Sequence, residues 1–189
     1  MDILADKSAL RRQYRQSRNA YVGALPQQDM TLSFSAVPSP IKNLFQKGKT
    51  IAAYIPIGSE ADPAHLVGYA ANMGCSTALP YVTSHSSPMR FLSWRPGDPL
   101  HDGPFALKQP DSNAASVVPD IIIVPLVAFD RHLNRLGQGA GHYDRAISLL
   151  EEAYTIGLAW SVQEAAALPA DPWDMPLDAI LTEKEWISR

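Results

Sequence analysis

The run Ile121-Ile122-Ile123-Val124 leads toward Asn134-Arg135-Leu136-Gly137-Gln138-Gly139-Ala140-Gly141-His142-Tyr143-Asp144-Arg145, and the two together predict a local order of strand, loop, glycine turn and helix. The first segment is β-branched and continuously apolar, as a strand buried on both faces of a parallel sheet would be. From Tyr143 to Glu152 apolar residues return at helical spacing, at Tyr143, Ala146, Ile147, Leu149 and Leu150. Between them stand three glycines at alternate positions. Glycine has no Cβ, accepts positive φ and lets an anion approach backbone N–H groups closely. A glycine turn feeding a helix N-terminus predicts an anion site, most often for phosphate.

Two familiar phosphate motifs do not fit. The dinucleotide fingerprint needs a third glycine where His142 stands, and a P-loop needs Gly-Lys-Ser/Thr there. A glycine-rich hairpin without a ligand remains the alternative. The flanking charges favour a ligand: Arg135 and Arg145 bracket the turn, and Asp144 falls in the first helical turn, where Mg²⁺ could be held beside phosphates. His142 and Asp144 are two apart and do not face each other on a helix, so His142 is expected to pack or to touch a ligand.

A chain of 189 residues suits one domain, 1–189, with a sizeable core. Hydrophobic residues make up 46% and charged residues 19%, the balance of an ordinary globular protein. A net charge of -3 gives no general attraction to nucleic acid or to anionic lipid, so a phosphate site must be a local basic patch. Cys75 is the single cysteine, which excludes a disulfide framework or a cysteine-based zinc site within one chain. Its apolar setting predicts a buried, inert thiol. Met1 to Asp6 lacks the features of a secretory signal, and the apolar stretch Ile121–Phe129 is far shorter than the ~20 residues of a membrane helix. The expectation is a cytoplasmic protein; nothing in the spacing selects a monomer or a homo-oligomer.

Asp6 to Tyr21 reads as the first helix, with Asp6 as N-cap. Lys7, Arg11, Arg15 and Arg18 align on one face of it. On spacing alone such a stripe is a solvated face. Gln27–Phe34 reads as a second helix, interrupted by Val37-Pro38-Ser39-Pro40 and resumed over Ile41–Gln46. Thr50–Pro56 reads as the first core strand, and Asp62-Pro63 opens the next helix. Glu60 lies between them, beyond the strand's carboxyl end, where ligands of open α/β sheets gather; a solvated loop glutamate is the plain alternative. Thr77–Val82 and Met89–Leu92 read as strands joined by a Ser-rich turn, Tyr154–Ala159 and Ala179–Thr182 as two more. Phe91 and Trp94 are core fillers or stacking faces. Asp171-Pro172-Trp173-Asp174-Met175-Pro176 is a loop with turn chemistry. Alternating strands and helices predict an α/β domain with a largely parallel sheet.

Arg135-Leu136-Gly137-x-Gly139-x-Gly141-x-Tyr143-Asp144-Arg145, preceded by Pro125-Leu126-Val127-Ala128-Phe129-Asp130, resembles the signature of the 5-formyltetrahydrofolate cyclo-ligase family, also called methenyltetrahydrofolate synthetases. Further resemblance runs from Lys7 to Glu183. It implies a three-layer α/β/α sandwich and ATP- and Mg²⁺-dependent closure of 5-formyltetrahydrofolate to 5,10-methenyltetrahydrofolate, through a phosphorylated formyl group. It places ATP on Lys7, Ser8, Ala9, Leu10 and Arg11, and on Arg135, Leu136, Gly137, Gln138, Gly139, Ala140, Gly141, His142 and Tyr143. It places the folate on Tyr54, Glu60, Gln138 and His142, and Mg²⁺ on Asp144 and Asp174. Lys7, Arg11 and Asp144 are the catalytic candidates. The chain departs from the family's usual aromatic residue at His142, and at Gln109 from a more frequent glutamate. The rival possibilities are a nucleotide- or folate-binding module without turnover, and an enzyme of related fold acting on another ligand.

Overall fold

The computed structural model describes residues 3–189. Its helices are α1 (Ile3–Ala24), α2 (Gln27–Leu32), α3 (Ser39–Leu44), α4 (Ala64–Asn72) and α5 (His142–Ile147). Its strands are β1 (Thr50–Ala52), β2 (Ser76–Tyr81), β3 (Arg90–Ser93), β4 (His101–Asp102), β5 (Lys108–Gln109), β6 (Ser116–Val117), β7 (Ile121–Pro125), β8 (Ala128–Phe129), β9 (Arg135–Leu136), β10 (Tyr154–Leu158), β11 (Ala179–Leu181) and β12 (Trp186–Ser188). Eight of these form one sheet in the order β12-β11-β10-β7-β1-β2-β3-β6. The inner run from β11 to β2 is parallel throughout. Antiparallel pairing adds β12 at one edge, β3 and β6 at the other.

The apolar run on β7 explains why it is central. Ile121 and Ile123 point to one face and pack with Phe45, Leu66 and Trp160, beneath α3 and α4. Ile122 and Val124 point to the other and pack with Phe129, Ala146 and Ile180, beneath α5 and the β8–β9 hairpin. The sheet is therefore the middle of three layers, with β7 fully paired to β10 and β1. Full burial of one such side chain is worth roughly 1.5–3 kcal/mol, so a charge at Ile123 would break both packing and ladder.

Several local boundaries differ from the sequence expectation. α1 starts at Ile3, so Asp6 is inside the helix and is not its N-cap; its side chain lies outside the described part. Pro63 occupies the N-cap position of α4, and Asp62 instead accepts the Ala64 N–H at 2.9 Å from outside the helix. β1 stops at Ala52, short of Pro56, although the Ala53 N–H still reaches the Ala78 carbonyl. α5 ends at Ile147 and not near Glu152: Leu150 still packs against the core, but Leu149, at 79% exposed, turns to solvent. Cys75 is half-buried, its thiol donating to the Gln46 carbonyl at 3.2 Å. Phe91 is core, whereas Trp94 is half-buried with its indole N–H on the Asp98 carbonyl.

Because five neighbouring strands share one direction, their carboxyl ends open onto one edge of the sheet. That edge collects Glu60 after β1, His85 after β2, the glycine turn after β7 and its hairpin, and Glu183 after β11.

Candidate active site

The basic stripe of α1 faces this edge. Lys7 is buried, and its Nζ donates to Asp171 Oδ2 at 2.6 Å and Asp174 Oδ2 at 2.5 Å. Burial opposes its charge, but the two carboxylates outweigh that cost and hold its pKa above the ordinary lysine value. One turn on, Arg11 Nε donates to the Gly137 carbonyl at 2.9 Å. Arg15 grips the Gln138 side chain, with Nη2 2.5 Å from Oε1. Arg18 is buried, with Nε on Ser59 Oγ at 3.0 Å and Nη1 3.9 Å from Glu60 Oε1. All four cations are thus engaged at the site's wall, and none of them belongs to a solvated stripe. Ser8 and Ala9 are exposed, while Leu10 packs against Ala128, Leu136, Ala165 and Leu168 and anchors the helix.

The turn is delivered by a hairpin that the sequence pattern did not show. β8 pairs antiparallel with β9, matching Ala128 to Leu136 and Phe129 to Arg135. Arg135 is held buried by this pairing and donates from Nη2 to Asp144 Oδ1 at 2.6 Å. Burial lowers its pKa, and the Asp144 carboxylate pulls it back. Of the three glycines, Gly139 and Gly141 have positive φ, at 108° and 66°, and Gly137 does not. A Cβ on Gly139 would stand 3.4 Å from the Arg11 guanidinium carbon, and one on Gly141 2.9 Å from Arg145 Nη1. The turn is therefore tight against cations on both sides, with Ala140 giving its carbonyl to Arg145 Nη1 at 3.1 Å.

The carboxylates converge as well. Asp144 Oδ1 also receives the Met175 N–H at 3.4 Å, and Asp174 Oδ2 receives the Asp171 N–H at 2.7 Å. The 171–176 loop thereby touches both Lys7 and Asp144, two residues that lie on different layers of the chain.

Glu60 is turned inward. Its Oε1 accepts from Gln138 Nε2 at 2.8 Å and its Oε2 from the Ile57 N–H at 3.0 Å. Gln138 therefore bridges the glycine turn and the Glu60 loop. A cleft of about 310 Å³ opens beside them, walled by Val22, Met30, Phe34 and Trp160, with Glu60 and His65 at its polar side. Tyr54 lies beneath the loop, buried, and donates its hydroxyl to the Ala61 carbonyl at 2.5 Å. Burial, then Glu60, raises its pKa well above the usual phenol value, so it stays a neutral donor.

His142 is buried beside Phe105, at a ring distance of 6.2 Å, and stacks parallel to His85 at 6.4 Å. Arg145 Nη2 lies 3.1 Å from its Nδ1, which assigns Nδ1 as acceptor and leaves the N–H on Nε2. Burial, Arg145 and His85 together lower its pKa. Phe105 and Ala106 both adopt positive φ, 62° and 60°, in the turn between β4 and β5. Gln109 anchors that turn, with Oε1 on the Val82 N–H at 3.3 Å, so its carboxamide does structural work without the charge of a glutamate. Arg15, Arg18, Asp171, His85 and Phe105 had no site role in the sequence expectation. Only the spacing of the two arginines carried a signal.

Cations, paired carboxylates and a glycine turn, gathered at the carboxyl edge of a parallel sheet beside a cleft, make this the candidate active site of an α/β enzyme. The chain belongs to the 5-formyltetrahydrofolate cyclo-ligase family, whose family model matches residues 3–183, and it is accordingly a ligase of folate chemistry. The 5-formyltetrahydrofolate cyclo-ligase of Haemophilus influenzae is 33% identical over 145 residues, covering 72% of this chain and 76% of its own. That of Mycolicibacterium smegmatis is 30% identical over 190 residues, covering 96% and 95%. Among solved structures, the 5,10-methenyltetrahydrofolate synthetase of Aquifex aeolicus superposes with a TM-score of 0.74 at 30% identity, over 96% of this chain and 92% of its own.

Proposed function

We propose that the protein uses ATP to convert 5-formyltetrahydrofolate into 5,10-methenyltetrahydrofolate, ADP and phosphate. Family membership supports the overall reaction. The observation that supports the finer reading is a joined set of charges around the glycine turn: Arg11 on the Gly137 carbonyl, Arg135 paired with Asp144, and Lys7 paired with Asp171 and Asp174. A formamide carbonyl is a poor electrophile with a poor leaving oxygen, so it needs activation. The formyl oxygen attacks the γ-phosphorus and ADP departs. N10 then closes on the imidate carbon, its proton is released, and the C–O bond breaks to free phosphate. Such transfer asks the protein for alignment and for neutralisation of charge on the phosphoryl oxygens. Lys7 and Arg11 supply point and planar cations, and the Gly139 backbone allows close approach.

The residues also fit Mg²⁺, which takes one or two protein carboxylates and fills its shell with substrate phosphate and water. Asp144 receives both of its hydrogen bonds on Oδ1 and Asp174 both of its own on Oδ2, and the chain contact between Met175 and Asp144 brings the two residues together. These two aspartates would hold the ion, which would neutralise charge developing on the phosphoryl oxygens. Glu60 is assigned to the pterin's amino and ring N–H groups, with Gln138 as the residue that yields to it.

Substrate labelled with heavy oxygen in the formyl group tests the route. Labelled phosphate, one labelled oxygen per turnover, is the expected product. Label in water with unlabelled phosphate would overturn direct phosphorylation, and ATP and folate binding without ADP formation would leave only a binding module.

A further inference from the structure

We propose that Arg18 determines specificity at the folate site by donating from Nη1 to the 4-oxo group of the pterin whose N–H edge Glu60 holds. This rests on the assignment of Glu60 to the pterin. Arg18 is 6% exposed, and Nη1 has no hydrogen-bond partner. A buried guanidinium N–H without an acceptor carries an uncompensated desolvation cost, which a ligand acceptor would relieve.

Nothing in the loop requires that donor. Ser59 is already pinned by its Oγ on Asn19 Oδ1 at 2.5 Å, by the Trp160 indole N–H on its carbonyl at 3.0 Å, and by Arg18 Nε. Nη1 is left over, 3.9 Å from Glu60 Oε1. Glu60 thus offers two acceptor oxygens, Oε2 also receiving the Ile57 N–H, and this nitrogen offers a donor beside Oε1. The lactam edge of a pterin is the complement of that set: a 2-amino donor, an N3–H donor and a 4-oxo acceptor. Gln138 Nε2 occupies Glu60 Oε1 as a ligand N–H would, so the pterin replaces the carboxamide and brings its carbonyl beside Arg18. A 4-amino pteridine loses the N3–H and turns the third group into a donor. It then faces a guanidinium that cannot give up its proton.

Calorimetric titration of the full chain with 5-formyltetrahydrofolate and with its 4-amino-4-deoxy analogue tests this. The natural chain is expected to prefer the 4-oxo compound by roughly tenfold or more, the scale of one charged hydrogen bond. Arg18→Met should shrink that preference to the part set by N3–H and Glu60, by weakening the 4-oxo compound and relieving the 4-amino one, with ATP affinity within about twofold of the starting value. Arg18→Lys, which keeps the charge on a different geometry, should retain part of it and carries the test if the methionine variant does not fold. Ser59→Ala removes the Arg18 clamp and should leave the preference intact. An unaltered preference in Arg18→Lys and Arg18→Met, or an equal loss in Ser59→Ala, overturns the proposal. Glu60→Gln is the separate arm: if it binds the folate normally, the assignment of Glu60 falls; if it does not and the Arg18 variants discriminate normally, only Arg18 does.

Discussion

Two buried polar regions of this molecule differ in how completely they are satisfied. Behind the β8–β9 hairpin, Asp130 is 1% exposed and accepts four hydrogen bonds, from the His132, Asn134 and Leu168 N–H groups and from the Asn134 side chain. Gln163, equally buried, takes the Trp160 N–H and gives both of its protons to the Leu126 and Val127 carbonyls. At the carboxyl edge the balance is different. Among the described residues the buried side-chain atoms without a partner are Arg18 Nη1, Arg135 Nε and His142 Nε2, all on residues of the candidate site. A fully paired polar group fixes the fold, whereas an orphaned one marks where the fold tolerates a cost that a ligand can relieve.

Asp130→Ala should give the largest effect on stability. It strands three backbone N–H groups and a side-chain amide in the interior, a loss of roughly 3–5 kcal/mol. Denaturant unfolding would show it as a lower midpoint with an unchanged slope. A loss under about 1 kcal/mol would remove the contrast between the two regions.

Gly139→Val acts on the other region. Its φ of 108° excludes a β-branched residue without strain, and the new side chain would press on the Arg11 guanidinium and fill space assigned to phosphate. ATP affinity should fall by about 2.7 kcal/mol or more, a hundredfold, in calorimetry. Unchanged affinity would take the phosphates away from this turn. Lys7→Gln should cost about 1.5–3 kcal/mol of ATP binding, because a short charge-assisted contact is lost. If the variant binds ATP normally, Lys7 serves only to tie Asp171 and Asp174 to α1.

The sequence made the centre legible and the rim only in part. Ile121–Val124 and the Gly139 turn carry local patterns, of burial on two faces and of backbone permissiveness, that no partner is needed to read. The stripe of Lys7, Arg11, Arg15 and Arg18 showed its alignment but not its direction. Lys7 meets partners 164 and 167 residues away, and no local spacing encodes such a pair. The hairpin of β8 and β9 escaped notice because two-residue strands are too short for periodicity. Asp174 was named as a proposed metal contact from family resemblance alone, Asp144 also from its place in the first helical turn, and their neighbour Asp171 had only the look of a turn residue.

Asp120 offers the smallest effect, and a way to tell paired surface charge from the buried networks. Its carboxylate accepts from Lys49 Nζ and from the Thr50 N–H, both at 2.8 Å, at the start of β1. The Lys49 contact first, and then the backbone one, hold its pKa below the ordinary aspartate value. With the folded value depressed, the stabilisation is fully present above the unfolded value of about 3.9 and is lost as pH falls through the folded one. The side chain is 35% exposed and its lysine 50%, so water and salt screen the pair. Asp120→Asn keeps an oxygen for the Thr50 N–H and gives up only the charge, at a cost of about 0.5 kcal/mol or less near neutral pH. The gap between the two proteins should narrow in high salt and close as pH is lowered past the depressed folded value of Asp120. A gap that stays constant with pH would show that the charge of Asp120 contributes nothing to stability.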